Sequence, residues 1–84
     1  MYLRFPAPTR AEMIESIIKQ YYTPDIVMSY QALSEEICQH IRLNSSFDTV
    51  QKVLEDVMGE INLECAMRIW GLLQSQRAAE KKRK

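Results

Sequence analysis

Residues 48–61 have the sequence DTVQKVLEDVMGEI, and their apolar side chains decide the fold. These side chains follow one another at spacings of three residues or one, which puts them on one face of an α-helix and does not fit the alternation of a strand. They are Val50, Val53, Leu54, Val57, Met58 and Ile61. Asp48 with Gln51 predicts the N-terminal cap of this helix, and Gly59 predicts its end in a left-handed conformation. Other helices must cover the apolar face.

Length and composition favour one all-α domain over residues 1–84. Only two glycines and three prolines are present, and all three prolines lie by residue 24, so the remaining chain can form helices with little interruption. We predict a small four-helix domain of antiparallel helical hairpins, with an extended N-terminal arm (1–8) and a basic C-terminal tail (77–84). A chain this short buries only about 60 % of its unfolded surface, so a partner protein or a second copy would add useful stability.

Helix starts can be placed from capping residues. Thr9 and Glu12 form a capping box for a first helix that continues to about Tyr22. For the second helix the apolar spacing fits a single helix over 24–43, beginning at the proline. The alternative is a short extended piece at 26–28 followed by a shorter helix capped by Ser29.

The fourth helix is capped by Asn62 and has an unusually wide apolar arc, about 160° where one contact needs about 100°. Its residues are Cys65, Ala66, Ile69, Trp70, Leu72 and Leu73. Ile69 and Leu73 lie near the middle of the arc, where we expect burial against helices one and three. Trp70 lies at one edge. We predict that Trp70 is partly exposed and binds a partner, with Met67 or Leu63 beside it; the alternative is that Trp70 belongs to the core.

Charge is distributed unevenly along the chain. Residues 1–76 hold six Lys or Arg and ten Asp or Glu, a net −4, whereas residues 77–84 hold five and one, a net +4. An acidic body repels phosphate, so nucleic acid is not the favoured partner. If nucleic acid is bound, the residues expected to contact it are Lys81, Lys82, Arg83 and Lys84. Otherwise this basic end complements the negative end of the last helix and keeps the protein soluble.

Groups suited to catalysis or metal binding are sparse. The single histidine, His40, lies two residues from Cys38, which turns the two side chains to different sides of a helix. Glu36 and His40 are four residues apart, a spacing typical of an exposed ion pair. Cys38 and Cys65 lack metal-binding spacing and are expected to be reduced thiols in apolar surroundings. We therefore predict no enzymatic activity, no metal site and no cofactor.

Residues 33–57 carry one family resemblance. LSEEI (33–37), a polar turn and DTVQKVLEDV (48–57) together resemble the helix-turn-helix of bacterial transcription regulators. The resemblance implies DNA binding through the helix that follows the turn. Thr49 begins twelve residues after Ile37, however, and that helix carries several acidic residues against Lys52 alone. An ordinary helical hairpin accounts for the same residues.

These observations favour a non-enzymatic interaction module, an adaptor or regulator that binds another protein or a second copy of itself. The alternative is a DNA-binding regulator that uses residues 33–57. The N-terminal residues lack the apolar core of a secretion signal, and no apolar run approaches the ~20 residues of a membrane span. We expect a cytoplasmic protein.

Overall fold

The computed structural model describes residues 8–23 and 29–82, and within them the chain forms four α-helices and no strand. The helices are α1 (Arg10–Tyr21), α2 (Tyr30–His40), α3 (Phe47–Met58) and α4 (Leu63–Lys82). The predicted all-α four-helix fold is confirmed. Most of the predicted N-terminal arm, residues 1–7, lies outside the described residues, as do residues 83 and 84 at the basic end.

Each helix begins at a polar side chain that accepts a hydrogen bond from the amide three residues later. The acceptors are Thr9 for α1, Ser29 for α2, Ser46 for α3 and Asn62 for α4. The capping box predicted for α1 is present, because the Thr9 amide also donates to the Glu12 carboxylate at 2.8 Å. These side chains accept hydrogen bonds from amides that have no partner within the helix. Each cap typically adds about 1 kcal/mol to the free energy of unfolding.

The favoured prediction of one helix over 24–43 is wrong. Ser29 is extended (φ −72°, ψ 159°), and α2 begins at Tyr30. The Ser29 cap of the alternative is confirmed, whereas its extended piece at 26–28 lies outside the described residues. The Tyr30 hydroxyl donates to the Tyr22 carbonyl at 2.8 Å, so the first turn of α2 is fastened to the end of α1. An apolar spacing that continues across residues 24–29 could not reveal this contact.

The predicted N-cap of α3 is also wrong, by two residues. Ser46, not Asp48, accepts from the amide of the first turn, and Asp48 lies within that turn, where a carboxylate still complements the positive helix end. The predicted end is confirmed: Gly59 has φ 84°, and its amide donates to the Glu55 carbonyl at 2.9 Å. Ile61 therefore lies beyond the helix and is exposed, instead of continuing its apolar face as the spacing predicted.

The helices form a closed ring of neighbours, in which α1 and α3 each pack against both α2 and α4. Two hydrogen bonds fix α1 antiparallel to α4. Arg10, at the start of α1, donates to Gln76 in the second half of α4 at 2.9 Å, while Arg68 in the first half of α4 donates to Gln20 near the end of α1.

One buried cluster draws on all four helices. It consists of Ile14, Ile18, Tyr22, Leu33, Ile37, Ile41, Val50, Leu54, Cys65, Ala66, Ile69 and Leu73. Val53 belongs to the apolar face of α3, which we expected other helices to cover, but it is only half-buried. The α3 face is therefore buried at Val50 and Leu54 and opens toward solvent on the α2 side.

The two glycines are expected to respond to alanine with opposite signs. Gly71 lies within α4 with no atom within 4 Å of where a Cβ would stand, so Gly71→Ala should stabilise the helix by about 1 kcal/mol. Gly59 has equal space but a positive φ, so Gly59→Ala should destabilise by a similar amount. Thermal melts of the two variants beside wild type check this. A melting temperature for Gly71→Ala below that of wild type would contradict it.

Candidate functional site

Exposed large apolar side chains are concentrated in one segment of the described structure. They are Ile61 (45 % exposed), Leu63 (57 %), Met67 (60 %) and Trp70 (36 %). Leu63, Met67 and Trp70 follow at spacings of four and three residues, so they share one face of α4, which we call the α4 stripe. Ile61 lies in the connection just before the helix. Contiguous apolar surface of this kind marks interaction sites more often than single exposed side chains do.

The width of the apolar arc on α4 results from two separate faces. Ile69 and Leu73 are fully buried against the bundle, as predicted. The α4 stripe lies roughly a third of the circumference away from them. The expected partial exposure of Trp70, with Leu63 and Met67 on the same face, is confirmed; partner binding by these residues stays a prediction.

Trp70 is held in place by α3. Its ring meets the ring of Phe47 edge to face, with centroids 6.0 Å apart and planes at 68°. Such a pair contributes about 0.5–1.5 kcal/mol beyond the area it buries. Phe47 lies in the first turn of α3, which begins two residues earlier than the sequence predicted, so sequence reasoning missed its role. The early Ser46 cap is what places Phe47 beside α4.

The opposite flank of α4 is tied to α1 by Arg68. Its guanidinium donates to Gln20 and to the Tyr21 hydroxyl at 3.4 Å, and lies 5.9 Å from the centre of the Tyr21 ring. The hydrogen bond with Tyr21 raises the pKa of Arg68. The guanidinium of Arg68, which is adjacent to Met67 in sequence, is thus directed to α1 and away from the α4 stripe.

A concavity lies between α2 and α3. Val53 and Val57 form its apolar part, with Glu36, His40 and Asp56 around them, and its volume is about 460 Å³. His40 and Glu36 are joined at 3.1 Å on the exposed side of α2, the pair that their spacing predicted. Within residues 8–23 and 29–82, no three His, Cys, Asp or Glu side chains lie close enough together to hold a metal ion.

Both cysteines are free thiols, Cys38 half-buried and Cys65 buried. Burial raises the pKa of Cys65 to about 11. Burial also raises the pKa of Tyr22 to about 12, and its hydroxyl donates to the Glu60 carbonyl at 3.1 Å. At neutral pH both groups are protonated, which suits a structural role beneath the α3–α4 connection.

These shifts predict a loss of stability at alkaline pH. A folded-state pKa above the unfolded value stabilises the fold fully below the unfolded pKa, and that stabilisation is lost as pH rises through the folded pKa. The free energy of unfolding should stay level up to about pH 9 and fall between about pH 9 and 12. Tyr22→Phe should be less stable at pH 7, because a hydrogen bond is lost, but should show a shallower alkaline decline. Urea titrations from pH 7 to 11 measure this, and equal slopes for the two proteins would contradict it.

The surface of α3 is acidic, which does not favour the helix-turn-helix alternative. Asp48, Glu55 and Asp56 are exposed on α3, against Lys52, so the helix that would enter a DNA groove opposes phosphate. At the basic end Lys81 is exposed, and the α4 backbone continues through Lys82. DNA binding by residues 33–57 stays a prediction.

No family model, curated protein or solved structure matches the chain. Within the described residues, no helix has both the length and the apolar character needed to cross a membrane.

Proposed function

We propose that this protein is a non-enzymatic interaction module that binds another protein chain through the α4 stripe. The observation that carries the proposal is the collection of large exposed apolar side chains on one face of α4 and in the connection before it. These side chains are not part of the buried cluster, in which Ile69 and Leu73 fill the inward face of the same helix.

The geometry favours binding energy at the centre of this surface. Tryptophan buries a large area with few rotatable bonds, and it is enriched among the residues that dominate interfaces. Phe47 already orders the Trp70 ring, so less conformational entropy is lost on association. Met67, 60 % exposed beside it, supplies a flexible side chain that adapts to a partner.

Other parts of the proposal rest on sequence alone. Action as an adaptor or regulator, the absence of catalysis and a cytoplasmic location stay predictions. The acidic exposed face of α3 supports a protein partner over nucleic acid.

The proposal is tested by comparing what wild type and two glutamate variants bind in native lysate. Met67→Glu places a charge on the α4 stripe, and Ser75→Glu places the same charge on an exposed position of α4 away from it. We expect a protein retained by wild type and by Ser75→Glu to be lost with Met67→Glu. Equal retention by all three proteins would show that the stripe does not bind.

A further inference from the structure

We propose that the occupant of the α4 stripe is a second copy of this chain, with the two α4 helices packed antiparallel about a two-fold axis. This inference rests on the proposed function, since it names the partner of the same surface. Spacing, charge and area each support it.

The spacing of the stripe is that of a helix-helix contact. Leu63, Met67, Trp70 and the half-buried Gln74 follow at four, three and four residues, the alternation that keeps one seam facing a partner helix. A long helix is therefore the shape that fits this face. The chain offers such a helix in α4 itself, whose 20 residues extend about 30 Å.

Charge selects the antiparallel orientation. A two-fold axis beside residues 68 and 69 places Met67 opposite Trp70 of the second copy and Leu63 opposite its Gln74. The same register brings Arg77 of each chain beside the α3–α4 connection of the other, where Glu60 is exposed. A parallel pair would instead bring Arg77 to Arg77 and Trp70 to Trp70. In an antiparallel pair the positive end of each helix also lies beside the negative end of the other, which is the favourable arrangement of the helix dipoles.

The sulfur of Met67 suits the central position opposite an indole ring. Thioether and aromatic groups attract each other when the sulfur lies about 5 Å from the ring. The two-fold axis creates this contact twice, so the layer with the largest exposed side chains lies at the centre of the interface. The more polar layers, with Gln74 and Arg77, lie at its two ends.

The exposed area indicates a weak dimer. The four exposed apolar side chains leave on the order of 400 Å² of apolar surface on each chain. A standard interface buries about 800 Å² per partner, somewhat more than half of it apolar. The α4 pairing lies near the low end of this range, so we expect dissociation in the micromolar range.

Sedimentation equilibrium from 5 to 500 µM, on the order of one hundredfold in concentration, tests the dimer. We expect wild type and Ser75→Glu to pass from monomer to dimer and Met67→Glu to remain monomeric. A wild type that is monomeric throughout, or a Met67→Glu variant that dimerises like wild type, would overturn the proposal.

Charge exchange tests the register. Glu60→Arg and Arg77→Glu each place like charges opposite one another at both ends of the interface and should weaken dimerisation about tenfold. The double variant restores opposite charges and should return to within about twofold of wild type. Failure of the double variant to recover would overturn the antiparallel register.

The two proposals fail differently. Wild type could stay monomeric but retain a lysate protein that is lost only with Met67→Glu. The proposal of a second copy would then be wrong, and the proposal of an interaction module would stand. If Met67→Glu changes neither dimerisation nor retention, both are wrong.

Discussion

Leu54→Asp is expected to unfold the protein at room temperature. Leu54 is fully buried in the cluster shared by the four helices, and no lysine or arginine of the described structure is buried with it. An aspartate there must stay charged without a partner, bind a proton, or open α3 from the bundle, and each costs several kcal/mol. A domain of this size has a free energy of unfolding near the low end of about 5–15 kcal/mol. Far-UV circular dichroism should show loss of most helical signal.

Val53→Asp is the matched control, because it places the same charge one residue away. Val53 lines the open concavity between α2 and α3, where water reaches a carboxylate. Full burial of Val53 would imply a loss of several kcal/mol here. Because Val53 is only half-buried, we expect a lower melting temperature but a folded protein. If the two variants melt within a few degrees of each other, α3 does not pack through Leu54 as the structure shows.

The contrast between these neighbours shows what periodicity can predict. Spacing placed Val53 and Leu54 on one apolar face, because residues on a helix separate by a fixed angle. Which side of that face is covered depends on where α2 and α4 lie, and this is a tertiary property. Sequence therefore predicted the helix and its apolar face but not the depth of each side chain.

Helix starts show the competition between local signals. Thr9 and Asn62 were predicted correctly, since a good cap preceded a clear apolar period in each case. At α3 the sequence predicted Asp48 as the cap, whereas Ser46 begins the helix. At α2 the apolar spacing continued through a break that only the Ser29 conformation and the Tyr30 to Tyr22 hydrogen bond reveal.

The candidate site was partly predictable for a related reason. An apolar arc wider than one contact requires implied that α4 has a second face, and the exposure of Trp70 follows from that. The contribution of Phe47 was missed because it depends on the start of α3. The exposure of Ile61 was missed although the signal was present: Gly59 ends the helix, so Ile61 could not continue its face.

Trp70→Ala is expected to separate association from folding. The ring is 36 % exposed and packs against Phe47, so its removal should cost folding about 1–2 kcal/mol, less than the roughly 3–5 kcal/mol of a fully buried aromatic. At the centre of an interface the same truncation costs 2 kcal/mol or more, on the order of thirtyfold in dissociation constant. The variant should keep its helical circular dichroism and be monomeric at concentrations where wild type dimerises.

Trp70→Phe is the control for this variant, because phenylalanine keeps an aromatic ring against Phe47 while presenting a smaller surface to a partner. Its melting temperature should lie close to that of wild type, and its association should fall between wild type and Trp70→Ala. If Trp70→Ala instead unfolds while wild type remains monomeric at every concentration, the ring serves the core. The α4 stripe would then have no role in self-association, and binding of another protein through Met67 and Leu63 would be decided by the Met67→Glu comparison.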